Sequence, residues 1–441
     1  MNKNSDRMMR IKPRIMSLIA LFLSAWTFSG CFFGFSGSTG DAAAVFSISM
    51  KQPAAPVTSM VLVVTGPDMA TITKTLSPDI NSATLEVPAG TARTFTLLVN
   101  TVSATFKGET TVDLKPGETR TIALTPRVVA TQLIIPDALN NRVVQISNIQ
   151  GAGWKTRSWS DFGFSSPNEF LPVDIDVDSH GRIYIANYAY NGDNGFGLIR
   201  IDDMDSNYAD ISESNSIVVD SGVQAFAIDR ERDYLYYNQG WDSLIHQVDL
   251  TQPLPLGPIK SWDLSTEIET FTGGLASFST QGMAIGPDGH LYLADENDTL
   301  VVRFDPAGGG DTRVVAVFDT TIYEYEPPWD VMVRPPYVYA SCPNRYAILQ
   351  LDLDLKYIGS FGLEDDLSPP VFPGEFNVPK RFVAKLNNGF YVIDDGYNWL
   401  EGSPVDRLVG FNNMNGDNWT VFGTTGSGIY QFQFYESEPL F

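Results

Sequence analysis

A pair of short apolar runs recurs six times along this 441-residue chain, and the recurrence constrains the fold more than any other feature. The clearest copy is Gly289-His290-Leu291-Tyr292-Leu293-Ala294-Asp295 followed by Val301-Val302-Arg303-Phe304-Asp305. The pair returns as 133–137 with 143–147, 183–187 with 198–202, 235–239 with 245–249, 338–342 with 348–352, and 390–394 with 408–412. From the last residue of the first run to the last of the second, the step is 10 for Asp137 to Ser147, Gln239 to Asp249, Asp295 to Asp305 and Cys342 to Asp352. Insertions lengthen it to 15 at Asn187 to Asp202 and to 18 at Asp394 to Asn412. The central residues Ile134, Tyr184, Tyr236, Tyr292, Tyr339 and Tyr391 lie 50, 52, 56, 47 and 52 apart, a period that suits one four-stranded unit.

The outer strands fit that count. Apolar runs precede the pairs at 173–178, 224–229, 281–286, 329–334 and 381–386, and further runs follow them at 154–162, 215–220, 258–264, 312–318, 355–361 and 418–422. Unit one has no leading strand, because 127–130 leaves little room. The alternating segment Ile429 to Tyr435 is left over at the other end of the chain. Placed as the innermost strand of unit one, it closes a ring and removes the exposed edges of an open array. The expected fold is therefore all-β, a six-bladed β-propeller over 128–441 closed by a C-terminal strand.

The units resemble NHL-type repeats, whose pattern runs G-x-[IV]-Y-V-A-D-x-x-N-x-R-[IV]. Unit four matches its front half through Asp288-Gly289, Tyr292 and Asp295, and unit two through Asp178, Gly181 and Tyr184. Unit one matches the back half through Asp137, Asn140, Arg142 and Val143, while units three, five and six depart from it.

Ahead of the ring, 44–126 reads as seven alternating runs cut by Gly66-Pro67-Asp68, Ser77-Pro78-Asp79, Pro88-Ala89-Gly90 and Pro116-Gly117-Glu118. That pattern fits a small β-sandwich and resembles immunoglobulin-like or transthyretin-like modules of bacterial surface proteins. Earlier still, Lys3, Arg7, Arg10, Lys12 and Arg14 precede the apolar stretch Ile15 to Phe28, which has the length of a signal peptide. Phe28-Ser29-Gly30-Cys31 resembles a bacterial lipobox, although Phe28 stands where an aliphatic residue is usual. The resemblance implies cleavage of the signal, acylation of Cys31, and a flexible tether over 32–43, and the alternatives are ordinary signal cleavage near Ala42-Ala43-Ala44 or an uncleaved anchor. Phe32 rather than Asp after Cys31 points to the outer membrane over the inner.

The formal net charge of −23 repels phosphate backbones, so nucleic acid is excluded as a partner. With His180, His246 and His290 alone, none of them placed at a shared mouth, a His-rich zinc site is excluded too. Cys31 and Cys342 make no disulfide framework.

In a propeller, the loops around the ends of the second strands and the starts of the first strands meet at one mouth. Those positions are Asp137, Asn187, Gln239, Asp295, Cys342 and Asp394, with Asp174, Gln224, Gln281, Trp329, Asp330, Lys380 and Arg381. The two insertions, 188–197 and 395–404, add Tyr188, Tyr190, Asp193, Tyr397 and Trp399, so the expected rim draws on Tyr188, Tyr190, Asp193, Trp329, Asp330, Arg381, Asp394, Tyr397 and Trp399. No catalytic residues are assigned. The expected function is a membrane-anchored, exported, non-catalytic binding or scaffolding protein engaging a protein or glycan of the cell envelope. The alternative is a calcium-dependent hydrolase or lactonase of the gluconolactonase-like kind, with Ca2+ on Asp137, Asp295 and Asp394.

Overall fold

The computed structural model describes residues 41–48, 53, 56–78, 80–101, 104–188, 197–205, 217–219, 222–239, 244–274, 278–308, 313–323, 327–362, 375–383, 389–398 and 403–434. The signal segment, Cys31 and the tether up to residue 40 lie outside them, as do Tyr190, Asp193 and Trp399. Among the described residues no helix is long and apolar enough to cross a membrane.

Two sheets form the sandwich. In the smaller, Asp41–Ile48 lies between Ser82–Pro88, antiparallel, and Thr119–Leu124, parallel. The larger runs in the order Ile72–Leu76, Val57–Thr65, Gly90–Thr101, Ala104–Leu114, Arg127–Thr131. Period-two alternation drives the packing: Phe95, Leu97 and Val99 are fully buried, while Thr94, Thr96 and Leu98 between them are partly exposed. Two expectations change here. Residues 41–43, read as tether, pair with Pro88, Val87 and Glu86. Residues 127–130, read as leaving little room for a leading strand of unit one, fall in Arg127–Thr131, an eighth strand that pairs with Ala104–Lys107 and buries Val128 in the core.

That core continues into the ring. Phe106 and Val128 share one apolar cluster with Val177, Ile183 and Ile201. Gly181, at φ +80, allows the close approach, since a Cβ there would meet Phe106 Cζ at 3.3 Å and Ala104 Cβ at 3.4 Å.

Six small antiparallel sheets follow. Sheet one holds Leu133–Asp137, Arg142–Ile146 and Lys155–Ser158. Sheet two holds Pro172–Val177, Ile183–Asn187, Leu198–Ile201 and Ile217–Val219, and sheet three Phe226–Asp229, Tyr234–Asn238, Leu244–Asp249 and Lys260–Asp263. Sheet four holds Thr280–Ile285, Leu291–Asp295, Leu300–Phe304 and Val314–Asp319. Sheet five holds Tyr357–Gly362 outermost, after Asp330–Arg334, Tyr337–Cys342 and Ala347–Asp352. Sheet six comprises Pro379–Phe382, Phe390–Asn398, Ser403–Phe411 and Thr420–Phe422. Each strand overlaps the run expected for it. The first strands of sheets two to six pack side by side in order, and Leu133–Asp137 lies against Pro172–Val177, which gives the propeller arrangement.

The last segment departs from expectation in its pairing. Gln431–Phe432 pairs in parallel with Thr424–Thr425 rather than joining an antiparallel ladder with Leu133–Asp137. Arg142 explains the difference. Its guanidinium donates to the carbonyls of Ser427 at 2.9 Å, Gly428 at 3.2 Å and Gln431 at 2.7 Å, taking the place of a neighbouring strand. Phe432 and Phe434 then bury among Leu133, Ile135, Ile393 and Leu408, joining sheets six and one. The insertion at 395–404 also differs: Asp395 to Asn398 continue the second strand and pair with Asp406 to Ser403, a hairpin ladder where a rim loop was expected.

Candidate functional site

The polar residues that end the second strands share one task. Asn187 Oδ1 accepts the N–H of Leu171 at 2.6 Å, and Tyr188 N donates to the Leu171 carbonyl at 2.9 Å. Asp295 accepts Ser279 N at 2.9 Å, and Glu296 N returns to Ser279 O at 3.2 Å. Asp394 accepts Asn377 N at 2.8 Å and Val378 N at 2.7 Å, and Asp395 N returns to Val378 O at 3.0 Å. In sheets three and five the position falls one residue earlier than expected, on Asn238, which accepts Ala225 N at 3.0 Å, and on Ser341 Oγ, which accepts Asp330 N at 3.0 Å. In sheet one, Asp137 Oδ1 accepts Gln433 N at 2.7 Å, and Leu139 N donates to Gln433 O at 2.9 Å. Gln433 thus makes with Asp137 and Leu139 the bonds that Leu171 and Ser279 make in their sheets, and this latch ties the C-terminal segment to sheet one without adding a strand to its ladder.

These carboxylates are deeply buried, and burial dominates their titration. It pushes Asp137 up to about 6 against the opposing bond from Gln433 N and the charge of Arg142. Asp295, with no cation among its causes, is pushed up to about 7. Burial likewise raises Asp394 despite Arg407 Nε at 2.7 Å. Asp137, Asp295 and Asp394, weighed as calcium ligands, stand on sheets one, four and six, each turned to its own latch. Among the described residues no three His, Cys, Asp or Glu side chains gather as a metal centre would require. Cys342 is buried, and that burial raises its thiol pKa.

What the ring does bring together is a small cavity of about 60 Å³ at the mouth. All six sheets contribute to its wall. Pro136 and Ala138 come from sheet one, Pro172, Val173 and Tyr188 from sheet two, Gln224 from three, Gln281 from four, Trp329 from five, and Lys380, Arg381 and Ile393 from six, with Phe434 from the C-terminal segment. Of the expected rim, Tyr188, Trp329 and Arg381 line the cavity. Asp330 lies behind it, fully buried, accepting Val331 N at 2.8 Å and Phe382 N at 2.9 Å. Asp394 serves as a latch, and Tyr397 lies in the Phe390–Asn398 strand.

The wall is mostly apolar, and its polar side chains are few and paired with one another or with buried acids. Lys380 Nζ donates to Asp395 Oδ2 at 2.7 Å and sits 5.4 Å from the centre of the Trp329 ring. Arg381 Nη1 stands 4.0 Å from Asp174 Oδ2. Gln224 Nε2 donates to Gln281 Oε1, and Gln281 Nε2 donates to Glu296 Oε2, a chain of amides around the wall. Burial raises the Glu296 carboxyl pKa. Sequence reasoning did not place Phe434 here, which comes from the C-terminal segment, nor Pro136, which comes from the Leu133–Asp137 strand.

The sheet topology and shared mouth make this an all-β protein of the propeller class. No protein-family model matches the sequence, and no curated protein matches it. Solved structures that resemble it include a protein of unknown function from Bacteroides caccae, with 10% identity and TM-score 0.44 over 66% of this chain and 93% of that one. Another protein of unknown function, from Bacteroides thetaiotaomicron, aligns with 13% identity and TM-score 0.38 over 78% and 96%. Virginiamycin B lyase from Staphylococcus aureus aligns with 12% identity and TM-score 0.37 over 62% and 82%. Likeness at this level says nothing about activity or ligand.

Proposed function

We propose that this chain is an exported, lipid-anchored binding protein of the cell envelope, with the six sheets as six blades of a closed ring and the ligand held at its mouth. The observation that carries the reading is the division of labour there. Strand-end acids are consumed as latches, while Tyr188, Gln224, Gln281, Trp329, Lys380 and Arg381 from sheets two to six, with the apolar Pro136 and Ala138 of sheet one, line one cavity. The sandwich, sharing its core with sheet two, would stand between the anchor and the ring in the chain and hold the ring fixed to itself.

The mouth is tested by immobilising the purified protein against detergent-solubilised envelope. Wild type is expected to retain a component that the double variant Trp329→Ala, Arg381→Met releases, and equal recovery by both would remove the mouth from the binding surface. The anchor is tested separately. Cys31→Ser should abolish incorporation of labelled fatty acid and move the protein out of the membrane fraction, and unchanged labelling would refute the lipobox assignment.

Support for the calcium-dependent hydrolase is weaker, because Asp137, Asp295 and Asp394 already accept the backbone N–H groups of Gln433, Ser279 and Asn377. A ligand at 100-fold its Kd stabilises a fold by about 2.7 kcal/mol, a shift of several degrees. Melting curves in millimolar calcium and in chelator are expected to coincide within about 1 °C on that scale.

A further inference from the structure

Resting on the mouth as the binding site, we propose that one proton held between Asp395 and Asp406 fastens Phe434 into the wall of the mouth, so that the mouth opens as pH rises. The two acids stand directly opposite each other in the ladder of Phe390–Asn398 with Ser403–Phe411. Asp395 is fully buried and Asp406 is 4% exposed, and their carboxyl groups are in hydrogen-bond contact. Two carboxyls bond to one another only through a proton. Asp395 Oδ1 has no donor among the described residues, so a protonated Asp406 supplies the one it lacks. Both acids also hold residues of the mouth. Asp395 Oδ2 accepts Lys380 Nζ at 2.7 Å, Asp406 Oδ1 accepts Phe434 N at 3.1 Å, and Lys380 and Phe434 both line the cavity.

The charges packed around the pair leave one acid without a counterion. Lys380 counters Asp395, and among the described residues no cation stands within ion-pair distance of Asp406. Next along the ladder Asp394 is matched by Arg407 at 2.7 Å, and across the seam Asp137 is matched by Arg142 at 2.6 Å. Around the mouth Arg381 faces Asp174, and Glu296 accepts from Gln281. The other neighbours, Thr420–Phe422, Thr424–Thr425 and 431–434, bring no ionisable side chain. Burial and the charge of Asp395 push Asp406 up to about 7, against the Phe434 and Thr425 donors that favour its ionised form. Phe390–Asn398 and Ser403–Phe411 are paired along their whole length, whereas the C-terminal segment over Asp406 adds no strand to sheet one. That segment is therefore the element that moves aside to let water reach Asp406, returning its carboxyl toward the ordinary value near 4. A seated Phe434 goes with the tighter-held proton. Seating has its full strength below about pH 4, weakens by up to about tenfold per pH unit as pH climbs to about 7, and changes little above.

The test follows hydrogen exchange of the purified chain from about pH 5 to 8 in peptides containing Phe434, corrected for the intrinsic pH dependence of amide exchange. Peptides over Leu291–Asp295 gauge global opening. Protection at Phe434 is expected to fall about tenfold or more between about pH 5 and 7.5, while the Leu291–Asp295 peptides fall less. Asp406→Asn keeps an oxygen for Phe434 N, donates an N–H to Asp395 and cannot ionise, so its protection should stay flat over the same range. A flat wild-type profile, an equal fall in both sets of peptides, or a fall that Asp406→Asn leaves intact would each overturn the proposal. If Asp406→Asn does not fold, the wild-type profile against the Leu291–Asp295 peptides decides. No ligand enters the measurement, so the proton catch can fail while the mouth remains a binding site, and the envelope capture can fail while the catch stands.

Discussion

Ending the chain after Gly428 should unfasten the propeller, with a loss on the order of 6–10 kcal/mol. The truncation removes Phe432 and Phe434, which are 0% and 3% exposed between sheets six and one, and each large-to-nothing change in such a place costs about 3–5 kcal/mol. It also strips Asp137 of the Gln433 N–H and Arg142 of the Gln431 carbonyl, leaving buried charges short of partners. Whole domains are stable by only about 5–15 kcal/mol, so the ring has little to spare. Circular dichroism melting is expected to show either no cooperative transition or a Tm lower by about 10 °C or more. A truncated chain melting within about 2 °C of wild type would mean that the segment does not close the ring. Phe434→Ala and Phe432→Ala should each reproduce a part of the loss, since they delete the apolar seal and keep the Gln433 latch.

The strand pairs were legible in the sequence because a blade repeats one physical problem. Each second strand must be buried on both faces, so LYLAD and IYIAN are apolar throughout, and each must end where backbone groups need a polar partner. Asp295 and Asp137 were therefore visible as positions. Their role was not, because a strand-end carboxylate that holds a turn and one that holds a metal look alike until the Ser279 and Gln433 amides are in view. The C-terminal closure was half legible. Alternation in 429–435 marked a segment needing a home, but the parallel pairing with Thr424–Thr425 depends on Arg142 reaching three carbonyls, a tertiary fact no local pattern carries. Arg127–Thr131 was missed because its pairing partners in Ala104–Lys107 lie 20 to 27 residues away.

The same latches explain much of the acidity. Asp178, Asp229 and Asp288 accept turn N–H groups between first and second strands, and Asp249, Asp305 and Asp352 do so after third strands. A carboxylate that accepts from backbone amides is doing turn chemistry, and a propeller repeats its turns. The negative charge therefore follows from blade geometry as well as from any need for solubility. At the mouth the first strands open on Gln224, Gln281, Trp329, Lys380 and Arg381 alongside the buried Asp174 and Asp330, and there acids pair with side chains: Lys380 with Asp395, Gln281 with Glu296.

Buried carboxyls of this kind make stability fall as pH rises from mildly acidic to mildly basic. Asp295 and Asp406 are both pushed up to about 7 by burial, Asp406 further by the neighbouring Asp395, and Asp137 is pushed up to about 6. An Asp in the unfolded chain titrates near 4, so the native state holds these protons more tightly. The contribution is complete below about pH 4 and is lost as pH climbs through 6 to 7. For Asp295 alone, a rise from about 4 to about 7 corresponds to roughly 4 kcal/mol at most. Most other carboxylates are already ionised above about pH 5, so general repulsion between acids changes little across this window. Urea unfolding at pH 5.5 and 8 is expected to show the higher midpoint at the lower pH. Asp295→Asn keeps an oxygen for the Ser279 N–H and cannot ionise, so it should raise stability at pH 8 and flatten the profile. A midpoint that rises with pH, or a profile that Asp295→Asn leaves unchanged, would show that Asp295 is ionised in the native ring and that its backbone amide donors, Ser279, Asn297 and Asp298, outweigh its burial.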